Sequence, residues 1–211
     1  MGIGIPSLYL DNQLFQENYL SQEPEVIELG SQDIPQQQQP QFKLFLEECC
    51  NYLVPENSVI TAKMIYESFG CKEYQCIDAD GRHNALVFDL NKDLQEFYHW
   101  NKVLALVTNN GTSEHCFNQL TCFKNIHDLC VSGGLMIHVL PVGGYENHGL
   151  YNYHPTFFYN LAAANHYKVL GIYLSTNKTV DDSLWVLPGL IPYQTNLISS
   201  LEQYSGNSDM G

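Results

Sequence analysis

Short apolar runs rich in β-branched residues recur along this chain, most of them separated by stretches with helical character. Residues 26–29 stop at Gly30, 75–77 at Asp78, 85–88 at Asp89 and 103–107 at Thr108. A fifth run covers 135–139, and 167–174 and 184–187 complete the set. Strands alternating with helices predict an α/β sheet of mostly parallel strands. A helix is expected over 61–69, closed by Gly70. A longer one is expected over 114–130, capped by Thr112 or Ser113 and stopped by Gly133 and Gly134. On that helix Cys116, Leu120, Phe123, His127 and Cys130 form one stripe, the face expected against the sheet.

Two stretches disturb a regular alternation. Residues 34–57 form a long insert with Pro35, four consecutive glutamines (36–39) and Pro40, then a helical stretch over 42–53. Its Pro/Gln part is expected to be solvated and mobile, and its helix to pack or to act as a lid. Only residues 79–84 separate the second and third runs. That is too short for a helical crossover, so 85–88 is expected to be a short edge piece or to pair unusually.

The 211 residues suit a single domain, and 45% hydrophobic content supports a core. Nine Lys+Arg against 23 Asp+Glu give a net charge of −14, which disfavours nucleic acid and anionic membrane as partners. No run approaches the roughly 18 apolar residues of a membrane span. The first ten residues lack a basic n-region and a small-residue cleavage site, and Pro6 stands where a myristoylation signal needs Ser or Thr. Seven cysteines without a CxxC pair fit reduced thiols, so a cytoplasmic location is expected.

In open α/β sheets ligands bind beyond the carboxyl ends of the strands. Here those ends carry Glu28, Gly30, Ser31, Gln32 and Asp33, then Asp78, Asp89, Leu90 and Asn109. A dinucleotide would need GxGxxG after the first strand, and only Gly30 is present. The acidic rim suits instead a nucleoside without phosphate. S-adenosylmethionine, with its sulfonium, amino group and ribose diol, fits. Asp78 is the expected acceptor from the ribose hydroxyls, and Asp89 with Leu90 would flank the adenine; Asp89 as a plain helix cap is the competing reading.

The segments LGSQD (29–33), YxxID (74–78), FDLN (88–91), GTxEHxFN (111–118) and GGLMIH (133–138) stand here in order. They are followed by His148-Gly149, Tyr151 and the Pro155 to Phe158 stretch. Together they resemble the class I S-adenosylmethionine-dependent methyltransferases, within them a little-described bacterial group. The resemblance implies one methyltransferase-like domain over 1–211. Its fold would be Rossmann-like and doubly wound, about seven mostly parallel strands with the last antiparallel. It also implies cofactor contacts at Glu28, Gly30 and Asp78; Ser31, Gln32, Asp33, Asp89, Leu90 and Asn109 complete the expected set. The chain departs from the superfamily in its sparse glycine loop, its missing second crossover helix and the insert.

The expected reaction is methyl transfer to the oxygen or nitrogen of a small polar acceptor. His115 is the candidate general base, because the expected helix N-terminus would keep its ring neutral, with His148 the runner-up. Glu114, Tyr151 and His154 are candidate acceptor-binding residues, in segments dense in aromatics and hydrogen-bonding groups. His127 and His138 read as core histidines. No HxxxH, HxH or comparable local spacing is present, so no metal is expected unless the fold gathers Glu114, His115, His148 and His154. A non-catalytic nucleoside- or partner-binding domain is the alternative. Neither the acceptor nor the oligomeric state follows from the sequence.

Overall fold

A computed structural model describes residues 2–20, 22–143, 147–175 and 189–193. It divides into two compact units, 1–153 and 154–211. Among the described residues no helix is long and apolar enough to cross a membrane.

The first unit is an α/β layer structure around a parallel sheet of four strands, flanked by helices. Strands β1 (Glu25–Leu29), β2 (Glu73–Ile77), β3 (Leu104–Asn110) and β4 (Cys130–Val139) stand in the order β2-β1-β3-β4. Every pairing among them is parallel. The expected third run is reduced to one parallel bridge, Ile77 to Leu86, on the outer edge of β2. The Leu86 amide donates to the Cys76 carbonyl and the Asp78 amide to that of Leu86. Six linking residues allow this contact but no crossover helix.

Side chains alternate across the sheet. Val26 and Leu106 lie in a core shared with Leu8 of α1 (Ile5–Gln16), Phe42, Phe45 and Leu46 of α2 (Gln39–Cys49), and Ile65 and Tyr66 of α3 (Ala62–Ser68). α1 was not expected from the sequence; its apolar residues lack a clean stripe, and Pro6 in the first turn is its plainest signal. α3 follows the sequence closely. Thr61 caps it by accepting from the Met64 amide, and Gly70 follows at φ +91°.

The insert is more ordered than its composition suggests. The Gln39 amide group donates to the carbonyls of Ile34 and Ile60 and accepts from the Ile60 amide. That clamp fixes the start of α2, which buries Phe42, Phe45 and Leu46 almost completely. α2 is core, not a loose flap.

α4 (Leu94–Tyr98) is capped by Asp93, and α5 (Gln119–Leu129) precedes β4. α5 starts later than expected because Thr112 and Ser113 are engaged elsewhere. The Thr112 hydroxyl donates to the Leu29 carbonyl and Ser113 bonds Asn109, so Asn118 supplies the cap. The buried face is Cys122, Phe123, Asn125, Ile126 and Leu129; Leu120 and His127 of the expected stripe are exposed. Gly133 and Gly134 do not stop the helix but lie within β4. There the register with β3 jumps from Leu104–Cys130 to Leu106–Leu135, with Gly133 at φ +81°. A Cβ on Gly134 would stand 2.7 Å from the Ala105 carbonyl oxygen.

The second unit holds α6 (Pro155–Asn165) and an antiparallel pair, β5 (Tyr173–Leu174) with β6 (Ile191–Pro192). Of the expected strand over 167–174 only its end is extended, and 184–187 lies outside the described residues.

Candidate functional site

The strand order reverses between β1 and β3, so their carboxyl ends bound the natural ligand crevice. The loop after β1 and the turn after β3 are bonded to each other there. Thr112 donates to the Leu29 carbonyl at 2.7 Å, and the Gln32 amide group donates to that of Asn110 at 2.9 Å.

Gly30 takes φ +81°, and a Cβ on it would collide with the Thr112 hydroxyl. Its lack of a side chain is therefore required by packing, and Gly30→Val is no selective probe of a ligand. The Ser31 amide and hydroxyl both donate to Asp78 Oδ2, at 2.8 and 3.2 Å, while Asp78 Oδ1 accepts from the Asp80 amide. The fold thus joins two of the expected cofactor residues. Asp33 pairs with Arg82 and His83 at the surface; the His83 bond, more than Arg82, holds its carboxyl below the usual range.

Glu28 is satisfied by protein partners. It is fully buried beneath the sheet, where Asn110 and Tyr66 donate to Oε1 and Tyr74 donates to Oε2 at 2.6 Å. Desolvation pushes it up to about 7 against the pull of those donors. Asp89 receives the amide and side chain of Asn91, bonds that hold it below its ordinary range, as in a local turn. Leu90 is buried. Asn109 bonds Ser113 and the His138 ring, and desolvation pushes that histidine down to about 4.

The residues that do converge come from the end of β3 and the segments after β3 and β4. Asn109 accepts from the Ser113 amide, the Ser113 hydroxyl meets the Tyr153 hydroxyl, and Tyr153 donates to Gln119. The Gln119 amide group donates back to the Ser113 and Cys116 carbonyls. These bonds hold a 3-10 turn, Ser113–His115, ahead of α5. His115 thus sits in that turn and not at an α-helix N-terminus, which removes the expected dipole argument for its neutral ring.

The Glu114 carbonyl accepts from the amides of Leu150 at 2.8 Å and Tyr151 at 3.2 Å. Gly149 lies so close that a Cβ there would be 2.8 Å from Glu114 Cγ. The Tyr151 hydroxyl donates to the Phe117 carbonyl. This clamp lays His148 beside Glu114. His148 Nε2 is 3.5 Å and His115 Nε2 3.8 Å from Glu114 Oε1, and the two imidazoles lie 4.9 Å apart, edge to face. The Glu114 side chain is 0% exposed, and neither carboxylate oxygen has a hydrogen-bond partner among the described residues. The His115 and His148 side chains are 47% and 30% exposed.

His154, expected with this group, belongs to the second unit. It caps α6 by accepting from the Thr156 amide. From the sequence Thr112 is expected only as a helix cap and Gly149 only as part of the His148-Gly149 motif, and nothing local marks Gln119 or Tyr153 as residues that hold this turn. The glycine after His148 was the one visible signal.

Comparison with protein-family models, with curated proteins and with solved structures finds no match for this chain.

Proposed function

We propose that the chain is a Rossmann-like S-adenosylmethionine-dependent methyltransferase acting on the oxygen or nitrogen of a small polar acceptor. One observation carries the reading. The Gly30 loop with its Ser31–Asp78 pair and the Glu114–His115–His148 cluster rise from adjacent strand ends at the point where the strand order reverses. Counting the Leu86 bridge as a vestigial edge strand, the order also matches the first five positions of a doubly wound sheet. The seventh, antiparallel strand of the full fold remains part of the proposal.

The rim residues fit a nucleoside. Asp78 uses three acceptor positions on protein donors, and a carboxylate offers about four, so one stays open toward a ribose hydroxyl. Bound there, S-adenosylmethionine would supply an electrophilic methyl group. The chain's own part is to orient the acceptor and exclude water, and positioning of this kind supplies much of the acceleration in displacement reactions. Removal of the acceptor proton falls to the histidine cluster.

A second reading is a non-catalytic binding domain of the same architecture. It is favoured by how fully the Gly30 loop is bonded to its protein neighbours, through Thr112, Asn110 and Asp78. Calorimetry with S-adenosylmethionine and S-adenosylhomocysteine tests the cofactor, and S-adenosylhomocysteine formation from a metabolite pool separates the two readings. Heat with product formation supports the enzyme, and heat without product the binding domain. The absence of heat with both ligands rejects the cofactor.

A further inference from the structure

We propose that Glu114, His115 and His148 bind a divalent transition-metal ion. Two imidazole nitrogens and one carboxylate oxygen lie within 4.8 Å of one another, all in the first unit. The carboxylate carries the argument. Its side chain is wholly buried, neither oxygen has a hydrogen-bond partner among the described residues, and a buried carboxylate is costly unless it is paired or coordinates a metal. Both histidines stand within ion-pair distance of Oε1, at 3.5 and 3.8 Å, without a hydrogen bond to it, and a cation held among the three would meet the carboxylate at closer range.

Those spacings approach what an ion requires. Metal–ligand bonds of about 2.0–2.1 Å place neighbouring donors roughly 3.0–3.4 Å apart. Small rotations of two partly exposed imidazoles close the difference. The convergence is built by the backbone, through the Leu150 and Tyr151 amides on the Glu114 carbonyl and the close approach of Gly149. It therefore does not depend on attraction between the side chains.

The donor set selects the metal. Mixed imidazole and carboxylate ligands suit zinc, iron, cobalt or manganese better than magnesium or calcium, which favour oxygen alone. Three protein ligands with exposed histidines leave coordination positions open, the arrangement of a catalytic and not a structural site. The open positions would take an oxygen donor of a small molecule, a hydroxyl or carboxylate, and the ion would lower the pKa of a bound hydroxyl or water. In the methyltransferase reading, the ion would lower the pKa of the bound acceptor hydroxyl so that its proton leaves to solvent water, and the histidines would serve as ligands and not as bases. Metal binding itself stands whether or not the chain transfers methyl groups.

Protein freed of metal by chelator dialysis is titrated with Co²⁺ and followed by visible absorption and equilibrium dialysis. The expected result is about one equivalent bound, with bands of nitrogen and oxygen coordination. Binding should weaken at least about tenfold in Glu114→Gln, in His115→Ala and in Gly149→Ala, which keeps all three ligands but displaces one. His115 is partly exposed, so that variant isolates ligation from folding, and circular dichroism checks each protein. Absence of cobalt binding overturns the proposal. So does binding unchanged in Glu114→Gln and His115→Ala, or a thiolate-to-cobalt charge-transfer band, which would move the ion to the cysteines.

Discussion

Replacing Asp11 by Asn should make the protein more stable at alkaline pH while changing little at acid pH. Asp11 lies on α1 with 2% of its surface exposed, and its Oδ1 has no hydrogen-bond partner among the described residues. Desolvation, reinforced by the nearby Glu28, raises its pKa from 3.8 to about 8. Desolvation also raises Glu28 from 4.5 to about 7. A carboxyl that holds its proton more tightly when folded contributes stability that is complete below its unfolded pKa and is lost as pH climbs through the folded one. Each such proton changes stability by up to about 1.4 kcal/mol per pH unit. Integrated from pH 5 to pH 8, Asp11 removes roughly 3–4 kcal/mol and Glu28 roughly 2–3 kcal/mol, a large share of a typical domain's stability. Asn is the neutral isostere of the protonated acid, so the variant keeps only the Glu28 part of the slope. Urea midpoints at half-unit steps should show wild type losing stability steadily over this range. The gap to Asp11→Asn should widen by about 3–4 kcal/mol. Parallel curves for the two proteins, or a wild type most stable at pH 8, would refute the argument.

Gly30→Ala should destabilise the fold by about 1–3 kcal/mol, from its positive φ and the collision with Thr112, as read by urea midpoints. Leu46→Ala should cost about 2–5 kcal/mol, and amide exchange over α2 should be as slow without S-adenosylmethionine as with it, because this helix is core. Rapid, ligand-sensitive exchange there would restore the lid reading. Asn118→Ala should cost about 1 kcal/mol through loss of the α5 cap, whereas Thr112→Val should act through the lost bond to the Leu29 carbonyl and leave α5 helicity unchanged by circular dichroism.

Local chemistry made much of the scaffold readable. β1 and β2 show in the sequence because a strand in a parallel sheet is a short apolar run that needs a polar or glycine exit, and Thr61 and Gly70 mark the ends of α3 because capping is a matter of a few neighbouring residues. The weak third strand was legible from the six residues before it, since chain length alone forbids a crossover helix. The same locality explains the misplacements. Whether Thr112 caps α5 depends on Leu29, 83 residues away, whose carbonyl takes the hydroxyl, and Asn118 caps the helix instead. Glu28 reads as a rim acid until Tyr66, Tyr74 and Asn110 are seen around it in the interior. The sequence by itself determined an α/β chain with acidic and amide strand ends. Only the tertiary structure decided which of those polar groups satisfy one another and which are left facing a ligand. Glu114 and His148 are distant in the chain, and they meet because the amides after Gly149 need an acceptor and the Glu114 carbonyl, held out by its turn, provides one.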